Sequence, residues 1–226
     1  PAQWDDEVIG AVDDAATPLQ LYGGDLAGIE EHLDYLEDLG VGTVYLTPIF
    51  PGESNHRYNA TTFDEVDPLL GGDEALISLS RALHSRGMHL IGDFTTNHTG
   101  DTHEWFQKAQ ADRSSLEATY YYWRDKAPGY VGWYDVPTLP KLNYRGAGLM
   151  EKMALGDDSV TARWLREPFS LDGWRIDVAN MTGRYMADDF ARDVARAMRS
   201  TMARINPEAA LIAEHNFDAA ADLAGD

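Results

Sequence analysis

An α/β fold built on a parallel sheet is the architecture this sequence predicts. Three observations carry it. Helix-period and strand-like runs alternate four times, and the polar residues of the strands gather toward their C-terminal ends. The composition, 44% hydrophobic and 25% charged, is that of a globular chain rather than a disordered one.

The elements follow in order. Residues 1–25 are polar, punctuated by Gly and Pro, and read as an irregular lead-in. Leu26, Ile29, Leu33, Leu36 and Leu39 then recur at intervals of three and four, one face of an amphipathic helix with Asp25 as N-cap and Gly40 just past its end. Thr43 to Thr47 is β-rich and stopped by Pro48, hence a strand. Asp73 precedes a second helix, with Leu76, Leu79 and Leu83 on one side and Gly87 as its stop, and Met88 to Thr95 is the second strand. A third helix from about Ser159 to Glu167, broken by Pro168, leads into the strand Leu171 to Val178. The last helix, about Asp188 to Ile205, aligns Phe190, Val194, Met198, Met202 and Ile205 and feeds the strand Ala210 to Glu214.

One interval breaks the rhythm. The stretch from Asn97 to Asn143 shows no clean period and is too long for a structureless loop. From His98 to Tyr144 it holds ten of the chain's 24 aromatic residues, so it is either a small inserted unit with an aromatic core of its own or a sugar-stacking platform beside a cleft. Different residues can serve each purpose.

Charge and cysteine content narrow the function. With 18 Lys and Arg against 38 Asp and Glu, the net charge of −20 repels phosphate backbones and anionic membranes, so nucleic-acid and membrane partners are not expected. The absence of cysteine excludes a disulfide framework, a thiolate metal site and a cysteine nucleophile. No apolar run reaches the length of a membrane span, and PAQWDDEVIG at the start has no signal-like basic and apolar regions, which gives a cytoplasmic expectation.

Alternation along a strand sends residues i and i+2 to one side. Gly173, Arg175 and Asp177 share a side, Trp174, Ile176 and Val178 the other; Asp93, Thr95 and Asn97 likewise share a side, followed by His98. Glu214 ends the fourth strand, with His215 and Asn216 beyond it. Charges inside a parallel sheet are costly unless paired, and α/β folds carry their chemistry at the C-terminal ends of strands. Neighbouring strands stand about 4.8 Å apart, so Asp177 and Glu214 are placed for the roughly 5 Å separation of a retaining glycosidase. An ion-pair network that merely plugs the sheet is the alternative. GxxxxGK[ST], GxGxxG and GxSxG motifs are absent, and His103-Glu104 fails HExxH at Gln107. His32 and His84 read as solvated helix residues and His89 as a structural strand residue, whereas His98 and His215 adjoin the carboxylates.

DFTTNH (93–98), GWRIDVAN (173–180) and AEHN (213–216) resemble, in order and spacing, the first three conserved blocks of the α-amylase family of glycoside hydrolases. LPKLN (139–143) resembles the fifth block of its neopullulanase, cyclomaltodextrinase and maltogenic-amylase branch, as do residues 22–41, 44–50 and 54–68. The resemblance implies a (β/α)8 barrel, of which the four strands would be the second to fifth, with a short inserted B domain. On that reading residues 1–98 begin the barrel, 99–140 are the insertion and 141–226 continue the barrel to just past its fifth strand. Asp177 matches the family's nucleophile, Glu214 its general acid/base and Arg175 the arginine that keeps the nucleophile ionised. His98 matches the sugar-binding histidine of the cleaved subsite, Tyr58 the tyrosine stacked under that ring, and Asp93 and Asn97 the structural positions of the first block. His215 is carried as a further substrate-binding residue. Asn59 stands where related enzymes often have Asp.

The family's fourth block, a His-Asp pair that supplies a third carboxylate, has no counterpart here, and a (β/α)8 barrel takes about 250 residues. The chain therefore reads as part of a longer enzyme, inactive by itself. The implied activity is retaining hydrolysis of α-1,4 links, with α-1,6 links as a second class, in maltodextrin, cyclodextrin or pullulan. Transglycosylation, or a non-catalytic barrel serving as an interaction module, are the alternatives. The expected partner is an α-glucan oligosaccharide and no cofactor is required; calcium stays open for the full-length parent, and oligomeric state is not legible.

Overall fold

The computed structural model describes residues 17–21 and 23–223, so most of the expected lead-in lies outside the described residues. Asp25 caps α1 (Leu26–Glu31) by accepting from the Gly28 N–H at 2.8 Å. The expected single helix is broken at His32 (φ −108°, ψ 17°) and resumes as α2 (Leu33–Asp38). Leu26 and Leu33 are buried, but Leu39, the C-cap of α2, projects into solvent rather than joining their face. The strand β1 (Thr43–Tyr45) follows, then α3 (Gly72–Ser85), which buries Leu76, Leu79 and Leu83. Gly87, at φ 69°, turns the chain out of α3 toward β2 (His89–Thr95).

His103 opens α4 (Glu104–Ala111) by accepting from the Trp105 N–H at 3.1 Å. Around it the aromatic residues pack on one another. Phe106 meets Tyr121 and Tyr130 edge-on, both at 4.8 Å, and Trp123 in a stacked arrangement at 5.8 Å. The Arg113 guanidinium covers Trp123 at 3.2 Å. Isolated bridges, Trp123 to Tyr130 and Gly132 to Pro140, stitch this region internally, while His98 to Lys141 and Tyr121 to Leu142 tie it to the chain beyond β2.

Two helices differ from expectation. The third, α5 (Val160–Arg163), is capped by Ser159 as its hydroxyl suggests, yet stops four residues early. There Trp164 turns into the core, its indole donating to Phe63 O at 3.1 Å, and Leu171 N–H returns to Trp164 O, so tertiary burial and Pro168 end the helix together. After β3 (Gly173–Asp177) comes a small ribbon, β4 (Arg184–Tyr185) with β5 (Asp188–Asp189), whose second strand takes the residues expected to begin the last helix. Asp188 is held by Tyr122 and Arg145, which keeps it out of the helix. The helix α6 (Ala191–Ile205) then buries Val194, Met198 and Met202, β6 (Ala210–Ala213) follows, and α7 (Ala220–Leu223) closes the described chain.

The sheet runs β1-β2-β3-β6, all parallel, with helices between its strands. Its helix-covered face carries the core: Trp174 is fully buried, 5.3 Å from Phe94 and 6.4 Å from Phe50. Gly92 allows that packing, since a Cβ there would stand 2.7 Å from the Trp174 ring. The register pairs Asp93 with Arg175 and Thr95 with Asp177, so polar residues from adjacent strands meet on the opposite face. No helix of the described residues is long and apolar enough to cross a membrane.

Candidate active site

Arg175 is the centre of the polar face. Its Nη1 donates to Asp93 Oδ2 and to Asp177 Oδ1, each at 2.9 Å, and its Nη2 lies 2.9 Å from Glu214 Oε2. One guanidinium thus joins three carboxylates from β2, β3 and the end of β6. Asp93 is fully buried and also accepts from the hydroxyls of Tyr58, at 3.0 Å, and Tyr45. Burial, reinforced by the Asp93 hydrogen bond, pushes the Tyr45 phenol up to about 12, and burial with the Asp93 charge raises Tyr58 further. Both phenols therefore stay protonated and act as donors.

Three negative groups on one cation do not balance, and the titration of Asp177 reflects it. Its carboxyl is pushed up to about 6, first by burial and then by the Asp93 charge. Arg175 pulls it down through a hydrogen bond and its charge, and Glu214 adds a smaller push upward. The implied role of Arg175 in keeping Asp177 ionised is thus only partly met: its charge is shared, and desolvation outweighs it. Asp177 is still mostly ionised at neutral pH.

Glu214 is fixed in another way. Its N–H continues the ladder to Ile176 O at 3.1 Å, and its Oε2 accepts from the Val178 N–H at 2.7 Å. Val178 reaches that position with left-handed backbone, φ 40° and ψ 45°. A β-branched residue there is a true outlier and costs on the order of 1–3 kcal/mol. The turn immediately after Asp177 is strained so that its amide meets Glu214.

His98 is buried and lies beside Tyr58 and Trp133. The Asn97 amide contacts Nδ1 at 3.1 Å; when it donates there, the imidazole proton sits on Nε2, which makes no hydrogen bond. Burial, with the Lys141 charge, lowers His98 to about 3 against a smaller upward pull from the Tyr58 backbone, so the ring is neutral. His215 is differently placed. Its Nε2 is 2.9 Å from Asp222 Oδ2 in α7 and its Nδ1 3.3 Å from Phe217 N, so both nitrogens have partners close by in the chain. His84 pairs with Asp172 at 2.8 Å rather than standing free, and His89 is exposed at the start of β2 rather than structural in its middle. Asn59 is buried and accepts from Ser54 at 2.5 Å.

Tyr45 and Lys141 had no role in the sequence reading, and Val178, expected on the apolar side of its strand, instead leaves the strand in left-handed backbone just after β3 ends. Tyr45 carried a signal, sharing one side of its expected strand with Thr43 and Thr47. Val178 carried none, because side-chain identity argues against its conformation. Lys141 lay within the LPKLN segment; its buried ammonium donates to Asn97 Oδ1 and to Met181 O, the latter at 2.9 Å, and burial lowers it to about 8. Amide and carbonyl oxygens are calcium donors, but here the lysine charge already satisfies both, so these residues do not fit the ion. Among the described residues no group of three or more His, Asp or Glu is arranged for a metal.

The family described as "Alpha amylase, catalytic domain" matches residues 4–215. The chain belongs to the α-amylase family. It is 33% identical over 219 residues to a cyclomaltodextrinase of Geobacillus thermopakistaniensis, covering 93% of this chain and 35% of that protein. It is 36% identical over 163 residues to an intracellular maltogenic amylase of Bacillus subtilis, covering 70% of this chain and 27% of that protein. A cyclic alpha-maltosyl-(1→6)-maltose hydrolase from Arthrobacter globiformis, solved in complex with maltose, superposes with a TM-score of 0.77 at 28% identity, over 88% of this chain and 44% of that one. The chain thus spans about a third or less of the length of these curated relatives. As an α-amylase family member, its four-stranded parallel sheet is an arc of the (β/α)8 barrel, and Arg175 lies on the arc's polar face.

Proposed function

We propose that this chain carries the nucleophile and the general acid/base of a retaining α-glucan hydrolase. The observation that carries the reading is the single guanidinium of Arg175 bonded to Asp177 and Glu214 at the ends of adjacent strands. Two carboxylates converging from one side are what double displacement requires. Asp177, ionised at neutral pH and poorly solvated, attacks the anomeric carbon as the glycosidic bond breaks. Glu214 delivers its proton to the departing oxygen from Oε1, since both bonds it accepts fall on Oε2. Water, deprotonated by the same Glu214, then releases the sugar from Asp177 with the original anomeric configuration. The steps balance without a cofactor, and the neutral His98 ring is the sugar-binding group of the reacting position.

The relatives support the substrate class: proteins named cyclomaltodextrinase and maltogenic amylase, and a maltose-bound neighbour, point to maltodextrins and cyclodextrins. Because those proteins are much longer than this chain, the test uses the full-length product of the gene. Asp177→Asn and Glu214→Gln should each nearly abolish turnover of β-cyclodextrin and maltotriose, while circular dichroism and Tm show a folded protein. Proton NMR of the first-released sugar should show the α-anomer. Full activity in either variant, or release of the β-anomer, defeats the assignment.

A further inference from the structure

His98 begins a row of aromatic rings that leads out of the site. Its ring centre is 5.8 Å from that of Trp133, which is 4.8 Å from that of Tyr134. Trp133 is locked in place. Its indole N–H points at Met181 Sδ, 3.2 Å away, and its backbone N–H donates to Leu139 O at 2.9 Å. Met181 lies four residues beyond Asp177, so Trp133 ties the inserted segment to the turn that follows the carboxylate.

Tyr134 has no such structural employment. It is 62% exposed, and its ring meets Trp133 edge-on. Its backbone is nevertheless left-handed, φ 48° and ψ 35°, and Asp135 after it is at φ 61°. L-residues avoid that region, and two in succession need support. Support is present: Asp135 N–H returns to Gly132 O at 3.1 Å, Val136 N–H to Trp133 O at 2.9 Å, and Arg124 grips Asp135 Oδ1 at 2.6 Å. Gly132 is needed as well, because a Cβ there would stand 2.2 Å from Val136 O. Among the exposed large aromatics of the described residues, Tyr35, Tyr45, Tyr134 and Phe217, Tyr134 alone has a left-handed backbone. The turn holds a strained residue in order to present a ring that packing does not bury. Strain of this kind collects at ligand clamps.

We propose that Trp133 and Tyr134 form a stacking platform for a sugar ring beyond the one at His98, which makes Tyr134 a specificity-determining residue for glucan length. The proposal rests on the α-glucan reading above. A pyranose ring offers an apolar C–H face to an aromatic ring, and the Tyr134 hydroxyl adds a polar contact at its rim. A substrate with one glucose reaches only the carboxylates and His98; a longer chain reaches Tyr134.

The test compares kcat/KM for maltohexaose with kcat/KM for p-nitrophenyl α-glucoside in the full-length gene product. A ring contact of ordinary strength corresponds to about 2- to 10-fold, so the ratio should fall by that factor in Tyr134→Ala and Tyr134→Gly and be largely restored in Tyr134→Phe. Tyr134→Gly also removes the backbone strain, so its Tm should hold or rise while the ratio falls. An unchanged ratio in both small variants, or an equal loss on the two substrates, overturns the platform. A falling Tm in Tyr134→Gly overturns it too, by showing that the residue holds the turn. A wild-type enzyme that turns over neither substrate overturns instead the α-glucan reading on which the platform rests.

Discussion

Asp93 and Asp177, on the two central strands, and Glu214, just beyond the outer strand β6, reach the same guanidinium from unlike surroundings. On β2 every residue from Leu90 to Thr95 is buried, and Asp93 is enclosed by a cation and two phenols. On β6, Ile212 is 48% exposed, and the Glu214 side chain is 39% exposed. The central carboxylates are held by packing on both sides of the sheet, and they bear the electrostatic consequence as raised pKa values. The outer one is held by two bonds to its Oε2, one of them from a strained amide. Burial sets the chemistry in the first case and local geometry sets the aim in the second.

Four experiments sharpen or break this contrast, from the largest effect to the smallest. Trp174→Ala removes the ring at the middle of the central packing and should cost about 3–5 kcal/mol, whereas Ile212→Ala on the outer strand should cost no more than about 1. Urea unfolding of the two variants decides it; similar losses would show that β6 is as tightly held as β3. Arg175→Met leaves buried carboxylates without their cation and should cost about 3–5 kcal/mol at neutral pH, a penalty that shrinks in acid as they protonate. The exposed pair of Arg166 with Asp157 provides the control, Arg166→Met staying within about 1. A loss independent of pH would mean that Arg175 matters for packing alone.

The third experiment concerns Asp177 and pH. Its folded pKa of about 6 lies above the ordinary 3.8. A raised value favours the native state while the group is protonated, so that contribution is full below about pH 4 and is lost as pH climbs through about 6. The linkage is on the order of 2–3 kcal/mol. Subtracting the stability curve of Asp177→Asn from that of the wild type should reveal a decline over this window; a flat difference contradicts the burial argument. The smallest effect is at Val178. Val178→Gly should be more stable than Val178→Ala by about 1 kcal/mol, since glycine alone is at ease in the left-handed region. Equal Tm values would mean that the turn is not strained.

Much of the site was legible beforehand. Period-2 alternation put Arg175 and Asp177 on one face and Trp174 and Ile176 on the other, and that is how the strand lies. Leu76, Leu79 and Leu83 announced the buried face of α3. Of the aromatic-rich insertion, Phe106, Tyr121 and Tyr130 are buried among one another, as the packed reading expects, while Trp133 lies beside His98 and Tyr134 beside Trp133. The partners of His215, Asp222 and Phe217, were not legible, because sequence adjacency to Glu214 says nothing about the side on which a loop residue falls once regular alternation has ended. The early end of α5 was missed because propensity is local, while the pull on Trp164 comes from Phe63, about a hundred residues earlier in the chain.

By itself, then, the sequence determined the parallel α/β sheet, the face each strand residue takes, and the carboxylates that gather at the strand ends. These follow from hydrophobic period and backbone pleat, which act between near neighbours. Tertiary structure alone decided that one guanidinium serves three carboxylates, that burial rather than Arg175 dominates the titration of Asp177, and that Val178 and Tyr134 adopt left-handed backbone. Each depends on groups distant in sequence, whose distances and desolvation exist only once the strands and the insertion have come together.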